Sequence, residues 1–291
     1  MDRPRLFVEL CAGSAAVSLR LVGGPNANPP IGYMGGKRGY ARAILGVLGL
    51  RQGLGAQEVW LNDPGPWGPV WRVLTTPGKA EEVAAIIRGW KDEEPRALWE
   101  RLKAQGWGEL TEVGEVAACL ALVGGSFSHG AEKLSIGPNF TGHPGSDAFG
   151  AKEPITVWLA SRVEAVARWL VCGAWSHPGS NAFNKDKAYG AYDTNQAGNW
   201  SNRAPDTPKR LASRLTSWPT PVRTFTGSAL DVPIPDDCEG VYMYLDPPYL
   251  GCTGYQHDLP REDVIECARR WSDAGAVVCI SEAEPLPLEG W

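Results

Sequence analysis

Four short apolar runs constrain this chain more than any other feature: Leu6–Leu10 (LFVEL), Glu58–Asp63 (EVWLND), Val241–Leu245 (VYMYL) and Ala276–Ser281 (AVVCIS). Each stops at a polar, Gly or Pro signal, as a buried parallel strand does where its carboxyl end opens into a site. A fifth candidate, Val222–Thr226 (VRTFT), precedes VYMYL. Helical patterns lie between them at Ser14–Leu21, Arg38–Leu50 and Arg261–Ala274. The last has Pro260 at its start, acids in its first turn and Gly275 beyond its end. Strands alternating with helices predict an α/β fold with a parallel sheet covered on both faces, and ligands on such sheets bind at the carboxyl ends of the strands.

The stretch from residue 75 to residue 220 reads differently. Helical patterns occur at Lys79–Trp90, Pro95–Gln105, Glu115–Val123 and Ile155–Leu170, followed by a long polar, Gly- and Asn-rich segment, Ser176–Arg203. A loop of that length is functional or mobile. The expected organisation is a core formed by residues 1–74 and 221–291, with residues 75–220 inserted as a largely helical region.

Seven cysteines, an odd number with no CxxC pair, and four scattered histidines predict neither a disulfide framework nor a metal site. No apolar run reaches the roughly 18–20 residues that span a bilayer. Without a secretory signal at the start, the expected location is cytoplasmic. The net charge of −5 argues against a protein that coats nucleic acid, but phosphate contacts depend on a local patch. One patch runs from Trp200 to Arg223 and carries Arg203, Lys209, Arg210, Arg214 and Arg223 against Asp206. A second comprises Lys37, Arg38 and Arg42. Either patch could also be a solvated face.

The sharpest chemical signal is Asp246-Pro247-Pro248-Tyr249, directly after VYMYL. Asp246 places a carboxylate at a strand end, and Pro247 has a carbonyl free to accept. Two prolines stiffen the loop. Tyr249 offers a flat face on which a base can stack. An exocyclic amino group has two hydrogens, one for each acceptor, and donating both hydrogen bonds draws the nitrogen lone pair out of ring conjugation. Those acceptors favour the positive charge that develops on nitrogen as it takes a methyl from a sulfonium. Three weaker signals accompany this loop. Glu9-Leu10-Cys11-Ala12-Gly13-Ser14-Ala15-Ala16 joins the first strand to a helix with small residues that admit a ligand or simply pack closely. Asp63 closes EVWLND, where an acid accepts from ribose hydroxyls or is merely solvated. Tyr33-Met34-Gly35-Gly36-Lys37 is a Gly-Gly turn before a basic helix.

Together these motifs resemble the Dam-like class of DNA adenine-N6 methyltransferases. DPPY looks like the catalytic motif of that family, ELCAGSAA like its motif for binding S-adenosylmethionine (SAM), and YMGGK like its GGK motif near the target base. Asp63 falls where the ribose-binding acid falls, and Thr226-Gly227-Ser228-Ala229-Leu230-Asp231 resembles the segment lining the SAM adenine. In most of that family the GGK motif precedes the SAM motif; here it follows. The resemblance implies a Rossmann-like SAM-dependent methyltransferase core with an inserted, mostly helical target-recognition region. It implies SAM as cofactor, held by Glu9, Cys11, Gly13, Ser14, Tyr33, Gly35, Lys37, Asp63, Ser228, Ala229 and Asp246. Catalysis falls to Asp246, Pro247, Pro248 and Tyr249. The implied partner is double-stranded DNA, with its target base flipped out of the duplex; the basic excess of the two patches adds the expectation that Lys37, Arg203, Lys209, Arg210 and Arg214 meet its phosphates. An RNA adenine, a DNA cytosine N4 and a catalytically silent SAM- or nucleic-acid-binding module are the alternatives.

Overall fold

The computed structural model describes residues 2–25, 27–31, 35–90, 92–126, 159–160, 163–164, 220–249 and 257–288. Five strands form one parallel sheet: β1 (Leu6–Leu10), β2 (Glu58–Asn62), β3 (Val222–Phe225), β4 (Val241–Leu245) and β5 (Val277–Ile280). Their spatial order is β3-β2-β1-β4-β5. The chain therefore builds outward from β1 in one direction and then returns to build outward from β1 in the other. The reversal lies between β1 and β4, where open α/β sheets leave a crevice at their carboxyl edge. The predicted strands are all present, shortened by one residue at Asp63, Thr226, Ala276 and Ser281.

Both faces of the sheet are covered, so every residue of β1 is buried. Side chains alternate across a strand. Leu6, Val8, Leu10, Val241, Met243 and Leu245 pack on one face with Val264, Cys267 and Trp271 of α7 (Arg261–Asp273). Phe7, Val59, Leu61 and Tyr244 face the other way, into a second cluster. That cluster is built by α1 (Ala16–Gly23), α2 (Ala41–Val47), α3 (Trp67–Leu74), α4 (Lys79–Gly89), α5 (Pro95–Gln105) and α6 (Val113–Gly125). Buried residues of α4–α6, Trp99 and Leu120 among them, belong to the same continuous cluster as the sheet face. Residues 159–160 and 163–164, within the helix predicted over Ile155–Leu170, are helical; Leu159, Ala160 and Val163 join this core, and Glu164 pairs with Arg88 of α4.

Two helices differ from expectation at their starts. The helix expected from Ser14 begins at Ala16, because Ala15 adopts a left-handed conformation (φ 50°). The helix expected over Arg38–Leu50 is confined to Ala41–Val47. Helix α3 is an element outside those expected, and it starts among Pro64, Pro66, Gly68 and Pro69. Pro66 is the N-cap residue and Pro69 the third helical position, where a missing N–H costs no intrahelical bond. Gly68 is required there by close approach: a Cβ would stand 2.2 Å from the Asp63 carbonyl oxygen and 3.0 Å from Thr226 Cγ2.

Helix α1 has no side-chain cap from its own N-cap residue. Glu9, one strand position before Leu10, does the work from beneath. Its carboxylate accepts from Ser18 N at 2.7 Å and Val17 N at 3.4 Å. Burial pushes its carboxyl up to about 7, against the lowering effect of those bonds.

Two outcomes are expected. A carboxyl raised from 4.5 to about 7 favours the folded state while protonated, so its contribution is complete below about pH 4.5 and is lost as pH rises through about 7. Stability against urea should thus fall from about pH 5 to about pH 8, and Glu9→Gln should remove on the order of 3 kcal/mol of that slope. Gly68→Ala should lower the unfolding free energy by about 1–3 kcal/mol, read from the denaturation midpoint, because it overpacks the turn that carries Asp63.

Candidate active site

The carboxyl ends of β1, β2 and β4 lie side by side at one edge of the sheet. After β1 the chain makes a tight turn in which Cys11, Gly13 and Ala15 all take positive φ (54°, 47° and 50°). Non-glycine residues rarely adopt this conformation, and it persists only where the surroundings determine it. Here they do. Ala12 N donates to Asn62 O at 2.7 Å, Gly13 N donates to Asp63 Oδ2 at 2.9 Å, and the buried Trp71 indole N–H donates to Gly13 O at 2.7 Å. Ser14 is buried inside the turn.

Asp63, immediately after β2, also accepts from Gly65 N through Oδ1 at 2.8 Å. Burial raises its pKa against these amide bonds, and His257 opposes the rise. Each oxygen takes one main-chain amide in these contacts, and a carboxylate has about four acceptor positions. The acid can therefore shape the Gly13 turn and still receive hydroxyls. Glu9 differs from its expected role: at 2% exposure, with both oxygens turned into α1, it supports the turn from below and does not face the crevice.

Asp246 follows β4, with its N–H donating to Leu10 O at 3.1 Å, so the Asp-Pro-Pro-Tyr loop is pinned beside the Gly13 turn. Pro247 is buried, and Pro248 and Tyr249 are half-buried. The Lys37 ammonium lies 2.6 Å from Asp246 Oδ1 and 4.8 Å from the centre of the Tyr249 ring. It also donates to Gly35 O at 2.9 Å. The Lys37 and Asp246 side chains are 11% and 14% exposed. Burial raises the Asp246 carboxyl to about 6, although Lys37 and the Tyr244 hydroxyl pull it down. Burial works against charge on Lys37, but Asp246 outweighs it and the ammonium is held more firmly than usual.

The fold thus gathers Gly13, Asp63, Asp246, Tyr249, Gly35 and Lys37 at one edge, from four separated stretches of chain. Ser228 caps the short turn Ala229–Asp231, its hydroxyl accepting from Leu230 N at 3.3 Å. Ala229 is buried, and Gly227 O accepts from Asn62 Nδ2 at 2.9 Å, which ties this segment to the end of β2. Tyr33, Arg203, Lys209, Arg210 and Arg214 lie outside the described residues. Arg223, counted with the basic patch, sits on β3 with its guanidinium 5.3 Å from the Trp60 ring centre and 3.8 Å from Glu58, so it belongs to the sheet surface.

Two contributors went unnoticed in the sequence. Trp71 is one of thirteen tryptophans, and nothing local marks it as the donor to Gly13 O. Tyr244 precedes Asp246 by two residues and therefore projects on the same side of the strand, a periodicity that could have found it. Its hydroxyl is 2.6 Å from Ser281 Oγ, just beyond β5. Among the described residues no group of three or more His, Cys, Asp or Glu could hold a metal ion, and no helix is long and apolar enough to cross a membrane. Comparison with protein-family models and with curated proteins finds no match.

Proposed function

We propose that this chain is a SAM-dependent methyltransferase that acts on the exocyclic amine of a nucleobase, with adenine N6 in DNA the preferred target. The observation that carries the reading is the placement of Asp246 and Tyr249. The largely buried carboxylate holds a cationic N–H donor, the Lys37 ammonium, beside the Tyr249 ring, and its main-chain N–H ties it to Leu10 at the end of β1, next to the Gly13 turn. Few chemistries need an acid and a ring so placed. An NH2 group on a flat base does, since it brings two donors and a stacking face.

The residues around the turn suit SAM. Small side chains from Cys11 to Ala15 admit a ligand to the backbone, and Asp63 keeps lone pairs for ribose hydroxyls. When bound, the cofactor supplies an activated methyl on sulfonium. Asp246 would accept one amine hydrogen and a carbonyl of the Pro-Pro turn the other, freeing the nitrogen lone pair. Positive charge developing on that nitrogen is then stabilised by the fixed carboxylate, which is where the rate gain arises. Tyr249 would hold the base plane, and the stiff loop keeps the partners aligned. Asp246 acts as the ionised carboxylate: its lone pairs accept the amine N–H and its charge faces the nitrogen that becomes positive, so activity requires its deprotonation, and the proton that the methylated amine sheds leaves to solvent.

In this reading residues 75–220 include the target-recognition region, and the basic residues Arg203, Lys209, Arg210 and Arg214 meet phosphates of double-stranded DNA. Incubation with methyl-labelled SAM and separate DNA and RNA substrates, followed by nucleoside analysis, is expected to yield N6-methyladenine from DNA. Label in no base would refute the assignment. Asp246→Asn should lower transfer by about 10²–10³-fold while SAM still binds in a calorimetric titration. Because the Asp246 carboxyl is raised to about 6 in the free protein, kcat/KM should climb as pH rises through that value and level off above it.

A further inference from the structure

We propose that Lys37 is a positioning residue whose ammonium is a stand-in for the target amine, holding Asp246 charged and aimed until an arriving base displaces it. The inference rests on the nucleobase-amine reading above. Its basis is the coincidence of contacts. Lys37 Nζ pairs with Asp246 Oδ1 at 2.6 Å, donates to Gly35 O at 2.9 Å and stands 4.8 Å from the Tyr249 ring centre. An ammonium has three donors, and here two meet oxygens while the charge faces an aromatic ring. The carboxylate and the ring face are the ones an amino-substituted base would use, so Lys37 and the base cannot both occupy them.

A carboxylate this deep neutralises itself unless a cation stays beside it. Groups facing Asp246 come from several elements. Tyr244 on β4 favours its charged form, as Lys37 does, while Glu282 beyond β5 and Glu9 on β1 add negative charge. Tyr249 lies in its own loop and faces the Lys37 ammonium. Lys37 supplies the positive charge that offsets these acids. It reaches the site from the turn before α2, and its own carbonyl accepts from Tyr40 N at 2.9 Å and Ala41 N at 2.8 Å, which anchors it at the helix start. The side chain can therefore swing out without disturbing the backbone.

The test is a carbon-13 NMR titration of the whole chain with labelled aspartate and lysine, Asp246 being assigned through Asp246→Asn. In the wild type the Lys37 Cε signal should step at the same pH as Asp246. In Lys37→Met the Asp246 midpoint should move upward by about one unit, a tenfold gain in proton affinity, and Lys37→Arg should restore it. Adding an adenine-containing duplex with S-adenosylhomocysteine should uncouple the two wild-type signals. An unmoved midpoint in Lys37→Met, or signals still coupled in a saturated complex, would overturn the proposal. The wild-type coupling decides the matter if Lys37→Met fails to fold, because absence of a shared step also overturns it. Coupled signals in a protein that methylates no nucleic acid would instead remove the functional reading and leave the charge-holding role intact.

Discussion

Parallel pairing of β1 with β2 on one side and β4 on the other governs this structure. The registers align Leu10 with both Asn62 and Leu245, so the chain emerges from all three strands at one level. Because β1 is buried throughout, a slip of one residue would turn Phe7 and Glu9 into the cluster that receives Val8 and Leu10. The position of every group at the crevice follows from that register. Asp246 hydrogen-bonds to Leu10 O, Ala12 to Asn62 O and Asp63 to Phe225 O.

On this frame sits a strained turn, supported from three directions. Glu9 caps α1 from below, Asp63 takes the Gly13 amide from the end of β2, and Trp71 of α3 donates to its carbonyl. Each support comes from a different element, so the turn depends on the assembled core. Three positive φ angles within five residues would relax in a free loop. Preorganisation of this kind is what a binding site gains from a rigid scaffold, and the apolar clusters on both sheet faces provide the rigidity.

Electrostatics at the crevice are set by burial. Glu9 and Asp246 are both pushed upward by desolvation, yet their partners differ. Glu9 is answered by main-chain amides, which hold it in a structural role. Asp246 is answered by the Lys37 ammonium and the Tyr244 hydroxyl. A group whose counter-charge lies on a flexible stem can exchange that partner; one bound by two helix amides cannot. This contrast distinguishes the two carboxyl groups chemically.

Legible in the sequence alone were the five strands, most of the helices around them, and the placement of Asp63 and Asp246 at strand ends, because period and punctuation are local properties of the chain. The position of the Asp-Pro-Pro-Tyr loop directly after β4 was likewise legible, since strand and loop are consecutive residues. Local signals could not show that Glu9 faces a helix and not the crevice, that Pro66 and Pro69 open α3, or that Lys37 reaches Asp246 across 209 positions. Those outcomes depend on the strand order β3-β2-β1-β4-β5, which brings distant segments together through burial shared by the whole sheet. Hydrophobic periodicity states which residues must leave water; only the tertiary packing decides which neighbours they meet.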